Sequence, residues 1–221
     1  MSTDGGGLWN GLAYLLVIVV ALRTADAAVP GCLSALRRPP PTAMALWGIV
    51  AIPSVVQFAV PELLRLLRRD PDLIRIHHEL WRLISSVVVQ DGGVFGTVFN
   101  LVVLYLIAVV AVVTAGSWAA LVVFVLGAVL FDLAAVYLFS SIGAGNSGAT
   151  FALAASVVAM VAVRRPSTAT VTGAVVVTAV AAGLIVARDA HGLAFAAGLV
   201  MGTMIAFSPV RTPALDGGSS R

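Results

Sequence analysis

Apolar residues in this chain come in long unbroken blocks set apart by short polar stretches, and several blocks approach or exceed the roughly 20 residues needed to cross a hydrocarbon core. The main ones run from Ala43 to Val60, Val94 to Ala115, Trp118 to Phe139, Ser147 to Val163, Thr168 to Ala187 and Ala190 to Phe207. A shorter block, Leu8 to Leu22, precedes them and is closed by Arg23 and Asp26. The pattern predicts an all-α, polytopic membrane helical bundle with a six-helix core and one extra N-terminal hydrophobic segment. That first segment has no positive charge ahead of it, only Asp4, so it reads as an uncleaved span and not as a signal peptide, although Ala25-Asp26-Ala27 has the look of a cleavage site.

The polar stretches divide the chain. Residues 1–36 form the N-terminal hydrophobic segment and linker, residues 37–208 a six-span membrane domain, and residues 209–221 a disordered tail rich in Gly, Ser and Pro. Arg37-Arg38-Pro39-Pro40-Pro41-Thr42 reads as a stiff, extended linker. The longest polar stretch, Glu62 to Gly93, carries five arginines and five acids interleaved with leucines, and is expected on the membrane surface with Trp81 at headgroup level and Arg82 reaching for phosphates.

Composition narrows the function classes. With 60% hydrophobic and 10% charged residues, the 221-residue chain is no ordinary soluble domain. Its cations are all arginine and are dispersed, which argues against nucleic acid as a partner. One cysteine, Cys32, forms no internal disulfide. If the Arg37-Arg38 loop is cytoplasmic, seven arginines lie inside and six outside, so orientation rests on little.

Candidate chemistry comes from parity. The blocks beginning at Val94, Ser147 and Ala190 alternate in the up-down series and run the same way, so Asn100, Ser147 and His191 share one leaflet. Polar groups in a bilayer tend to face one another or a wet cavity, which gathers three distant residues into one site. Interhelical hydrogen bonding is the plainer account of Ser147 or Asn100 alone. A serine with a histidine in reach is the minimum for nucleophilic catalysis.

These residues resemble the rhomboid intramembrane serine proteases, over roughly Arg38 to Phe207. Gly145-Asn146-Ser147-Gly148 looks like the family's Gly-x-Ser-Gly, with Phe151 one turn on where an aromatic packs on the catalytic imidazole. His191 to Gly198 resembles His-x-x-Gly-x-x-x-Gly, Glu79-Leu80-Trp81-Arg82 the tryptophan-arginine signature, and Phe99-Asn100 the end of His-x-x-x-Asn. The chain departs from the pattern at Gly96, where active members commonly carry a histidine, and at Ala194, which replaces a glycine. The resemblance implies cleavage of transmembrane protein substrates in the lipid bilayer of the cell membrane. Ser147 would be nucleophile, His191 base and Asn100 oxyanion donor, without metal, cofactor or a buried acid completing a triad. Two alternatives stay open: an inactive rhomboid-like protein that binds membrane clients, favoured by Gly96, and a small transporter, for which Asp132 is the one mid-depth ionisable group.

Three finer expectations concern packing. His191, Ala194, Gly198 and Gly202 lie on one helical face, able to pack on Gly148, Ala152, Ala155 and Ala159. Asp132 should be a neutralised or paired structural group, away from the Ser147 level. Asp189, two residues before His191, is expected to cap the last helix and not to orient the imidazole.

Overall fold

A computed structural model of the chain describes residues 7–208; the tail expected to be disordered, 209–221, lies outside the described residues. Seven long helices carry the fold: α1 (Leu8–Ala28), α2 (Pro41–Val56), α6 (Gly93–Ala115), α7 (Ser117–Tyr137), α8 (Ser147–Arg164), α9 (Thr168–Val186) and α10 (His191–Phe207). Three short helices, α3 (Glu62–Leu67), α4 (Pro71–Arg75) and α5 (Arg82–Ser85), fill the polar stretch between α2 and α6. Five of the long helices are long and apolar enough to span a membrane, and α2 and α10 are shorter apolar helices. The chain is therefore a multi-pass membrane bundle.

The serine helix α8 is the axis. Every residue from Gly148 to Val161 is buried, and α10, α7, α1, α6 and α9 all pack around it. Alanines and glycines make this possible, since close approach of helix backbones in a bilayer needs small side chains. A Cβ built on Gly198 would run into the backbone of Ala152, and one on Gly202 into that of Ser156. The small face of α10 thus meets Ala152 and Ser156. Gly148, expected on the same seam, instead makes room for the ring of Phe131 on α7.

The N-terminal helix is part of the bundle. It continues through Arg23 and Asp26 to Ala28, because its packed face, Tyr14, Val17, Ile18, Ala21 and Ala25, keeps helical spacing past those charges. That stripe lies against α8, α9 and α6. Gly173 on α9 allows the approach, since a Cβ there would sit 2.5 Å from the Thr24 hydroxyl. After α1, a 3-10 turn (Cys32–Arg37) leads to Pro40, extended at φ −58° and ψ 141°, and α2 begins at Pro41, where a missing N–H costs nothing.

The Glu62–Gly93 stretch does not simply lie on a surface. Leu66, Leu80 and Trp81 stay exposed, but Ile74 and Leu83 form a small core with Val136 of α7. Arg82 is buried, and its guanidinium turns inward to the carbonyls of Leu66 and Arg68, with Glu79 at 2.5 Å and the Trp81 ring at 4.6 Å. The reason is the end of α3: its last carbonyls have no intrahelical donor, and a buried guanidinium supplies several at once. Arg164 does the same at the far end of α10, donating to the carbonyls of Ile205, Ala206 and Ser208 at 2.9–3.1 Å.

Candidate active site

The loop before α8 sets the position of its first residue. Gly145 has φ +149°, a conformation side chains resist, and its N–H reaches the Ser86 carbonyl at 3.0 Å. A Cβ there would come within 3.1 Å of the Gln90 carboxamide. The next residue, Asn146, is fully buried: it accepts from Gln90 Nε2 and donates to Thr150 Oγ1, both at 2.8 Å. With Asn146 plugged inward, Ser147 opens α8 at the rim of a cavity of about 1180 Å³, shared with Arg69, Phe131, Gly145, Asp189 and His191.

Ser147 Oγ lies 3.0 Å from His191 Nε2. Three rings box the imidazole: Tyr14, Phe131 and Phe151, with centroids at 4.9, 5.0 and 5.3 Å. Phe151 stands where the sequence pattern put it. Phe131 and Tyr14 come from α7 and α1 and were not among the sequence candidates.

Asp189 corrects an expectation. Its Oδ1 accepts the His191 backbone N–H at 2.9 Å, as a cap would, and also lies 2.8 Å from His191 Nδ1. The divergence of side chains two apart holds within a helix, whereas Asp189 precedes α10 and is free to fold back over it. Its Oδ2 accepts from Tyr14 Oη and, at 2.7 Å, from Asn10 Nδ2. Burial pushes the Asp189 carboxyl up, but the hydrogen bonds and charge of His191, with the Tyr14 bond, outweigh it and hold the group well below the usual carboxylate range.

Asn100 is near the loop but engaged. Its Nδ2 donates to Gln90 Oε1 at 2.8 Å, and its carbonyl lies 3.4 Å from Asn146 Nδ2. Gln90 is the hub of this buried amide network, which extends to Gln57 at 2.8–2.9 Å and to Ser54 at 3.3 Å. Gln90 sits at the end of a charged loop, where the sequence pattern gives it no partner; the amide-bearing positions 57, 90, 100 and 146 are the signal of the network. Gly96, one turn before Asn100, has nothing within 4 Å of a built Cβ, so close packing does not account for the glycine. Trp81 and Arg82 are not among the residues lining the cavity; Arg82 holds the end of α3, with the Trp81 ring beside its guanidinium.

Asp132 is paired, but its depth differs from the expectation. It binds the Arg69 guanidinium and the Ser86 hydroxyl, and the ring of the residue before it, Phe131, lies tilted against His191. Asp132 lies five residues from the end of α7, so it sits at the level of the serine and not at mid-membrane. The transporter alternative leaned on Asp132 as a mid-depth ionisable group, and Asp132 is instead paired with Arg69.

A family model described as Rhomboid domain matches residues 77–211, more than half of the chain, including Asn100, Ser147 and His191. Comparison with curated proteins finds no match.

Proposed function

Because the chain belongs to the rhomboid family of intramembrane proteases, we propose that it is a serine endopeptidase that cleaves transmembrane-helix substrates with Ser147 and His191 as its dyad. The observation that carries this reading is the 3.0 Å contact between Ser147 Oγ and His191 Nε2 at the rim of an open cavity. Ser147 Oγ attacks the scissile carbonyl carbon while its proton passes to Nε2. The oxyanion is met by the Ser147 backbone N–H, which in the first turn of α8 has no intrahelical acceptor, and by the second N–H of the Asn100 amide. Collapse expels the amine, which takes the proton from His191. Water then attacks the acyl-enzyme, His191 accepting its proton and returning it to Ser147. The cavity gives that water a route, and the reaction calls for neither metal nor cofactor. The substrates are transmembrane proteins, met in the cell membrane.

Cleavage of a transmembrane reporter and fluorophosphonate labelling test the reading together. Ser147→Ala and His191→Ala each abolish most of the rate, and the double variant loses little more. A Ser147→Ala protein that cleaves at the parent rate would falsify it. Gly96 favours a second reading, an inactive member that holds membrane clients. A parent chain that binds a transmembrane peptide yet neither cleaves it nor takes the label would select that reading.

A further inference from the structure

The hydrogen bonds behind His191 run out of the matched family region and into the N-terminal helix. Asp189 Oδ1 faces Nδ1 at 2.8 Å, and Tyr14 Oη lies 3.1 Å from the same nitrogen. Tyr14 has one proton, and Asp189 Oδ2 receives it. Tyr14 Oη can then only accept from the imidazole, so Nδ1 carries the hydrogen and Nε2 presents its lone pair to Ser147. Asn10 Nδ2 closes the arrangement at 2.7 Å from Asp189 Oδ2. Four donors thus converge on one carboxylate, two of them from α1. The Asp189 side chain is only 7% exposed, and the Tyr14 ring is also packed on Phe151 at 5.0 Å.

We infer that α1 is a working part of the reaction centre: Tyr14 and Asn10 are positioning residues that hold Asp189, and Asp189 holds His191 in the tautomer and orientation that serve Ser147. The inference rests on the proteolytic reading above. It backs the Ser147–His191 dyad with two positioning groups, Asp189 and Tyr14, which touch no reacting atom. Asp189 stays ionised throughout; its charge stabilises the imidazolium that forms when Ser147 gives up its proton, as an aspartate does behind a catalytic histidine. The consequence is that the N-terminal helix, an accessory span by its sequence, must be docked on α8 and α9 for full turnover.

Tyr14→Phe is the decisive variant, because it keeps the ring and its packing and removes only the hydroxyl. In the full-length protein it lowers kcat on the order of ten- to a hundredfold, the worth of a hydrogen bond to a charged group, with KM unchanged and only a small fall in thermal midpoint. Asp189→Asn lowers kcat further, on the order of a thousandfold or more. In the Asp189→Asn background, Tyr14→Phe then adds less than about twofold, since residues acting as a unit are not additive. Fluorophosphonate labelling of Ser147 slows in the same order and needs no matched substrate. If Ser147→Ala abolishes cleavage and labelling while Tyr14→Phe matches the parent in both, the role of α1 is overturned and the protease reading stands. If the two variants' effects multiply, Tyr14 acts independently of Asp189 and the inference also fails. A parent that neither cleaves nor labels removes the protease reading and this inference with it.

Discussion

Two aspartates, Asp132 and Asp189, sit in the same bundle near the level of one serine, and they have opposite fates. Asp132 is 1% exposed and answers to a full cation: Arg69 binds it, donates to the Ser141 carbonyl at 3.0 Å, and exchanges backbone hydrogen bonds with Gly143 at 2.9 and 3.1 Å. That cluster fastens the α3–α4 loop and the loop before α8 onto α7. Among the described residues, no arginine pairs with Asp189. Its partners are neutral donors and an imidazole, and the series of bonds ends on a hydroxyl facing a cavity. A carboxylate neutralised by a permanent cation can only brace. One held by neutral donors keeps its charge available to a group whose own charge changes.

The widest separation between the two comes from removing each carboxylate. Asp132→Ala leaves the Arg69 guanidinium buried without its counter-charge, and breaking such a pair costs about 3–5 kcal/mol. A large fall in thermal midpoint in detergent is expected, with activity lost in proportion to folded protein. Replacing both partners by apolar side chains, Arg69→Met with Asp132→Leu, recovers part of the loss, because no orphaned charge remains. Asp189→Asn shows the reverse profile, a small shift in midpoint and a large fall in turnover. An Asp132→Ala protein as stable as its parent but slow would erase the distinction.

The amide network offers an intermediate case, with neither full charge nor direct contact with the imidazole. Losing an oxyanion donor costs about a hundred- to thousandfold in turnover, which is the expected fall for Asn100→Ala. Gly96→His should raise turnover, since position 96 lies on the Asn100 face and a Cβ there meets no atom within 4 Å. Thermal midpoint is read alongside. A folded Gly96→His protein with unchanged or lower turnover counts against the oxyanion role of this face, and so does a fully active Asn100→Ala.

The comparison also separates what the sequence made legible from what it did not. The spans were readable because membrane length and apolar composition coincide, and the meeting of Ser147 with His191 followed from parity and a glycine-bounded motif. Tyr14 was not readable as a neighbour of His191: the two are 177 residues apart, and no local rule orders them. Its stripe with Val17, Ile18, Ala21 and Ala25 did mark α1 as a packed helix. Helix geometry does not govern Asp189, which stands before α10 and folds back onto His191. A span running to Phe139 puts Asp132 near mid-membrane, whereas α7 ends at Tyr137 and Arg69 reaches the carboxylate from the adjoining loop. The inward turn of Arg82 is not legible either, because orphaned carbonyls at the end of α3 do not show in a sequence.

The smallest effect is the pH dependence of stability, and it isolates Asp189. Burial alone would raise its pKa, but the bonds and charge of His191 and the Tyr14 hydroxyl lower it below the unfolded value of about 3.9. A carboxyl whose folded pKa is depressed contributes stability that is fully present above the unfolded pKa. That contribution is lost as pH falls through the folded one, since below both values the two states bind the same proton. Other carboxylates titrate in the same window, so the useful quantity is the difference in thermal midpoint between the parent and Asp189→Asn. The difference should hold steady from about pH 7 to 5 and shrink steadily below about pH 4, where the parent begins to lose what the amide never had. Tyr14→Phe, lacking one of the bonds that lower the pKa, should lose less stability over this window and stop losing it at a slightly higher pH than the parent. A difference that stays constant down to the lowest pH at which the bundle remains folded would mean that the carboxylate is not held in its ionised form, and the contrast with Asp132 would lose its electrostatic basis.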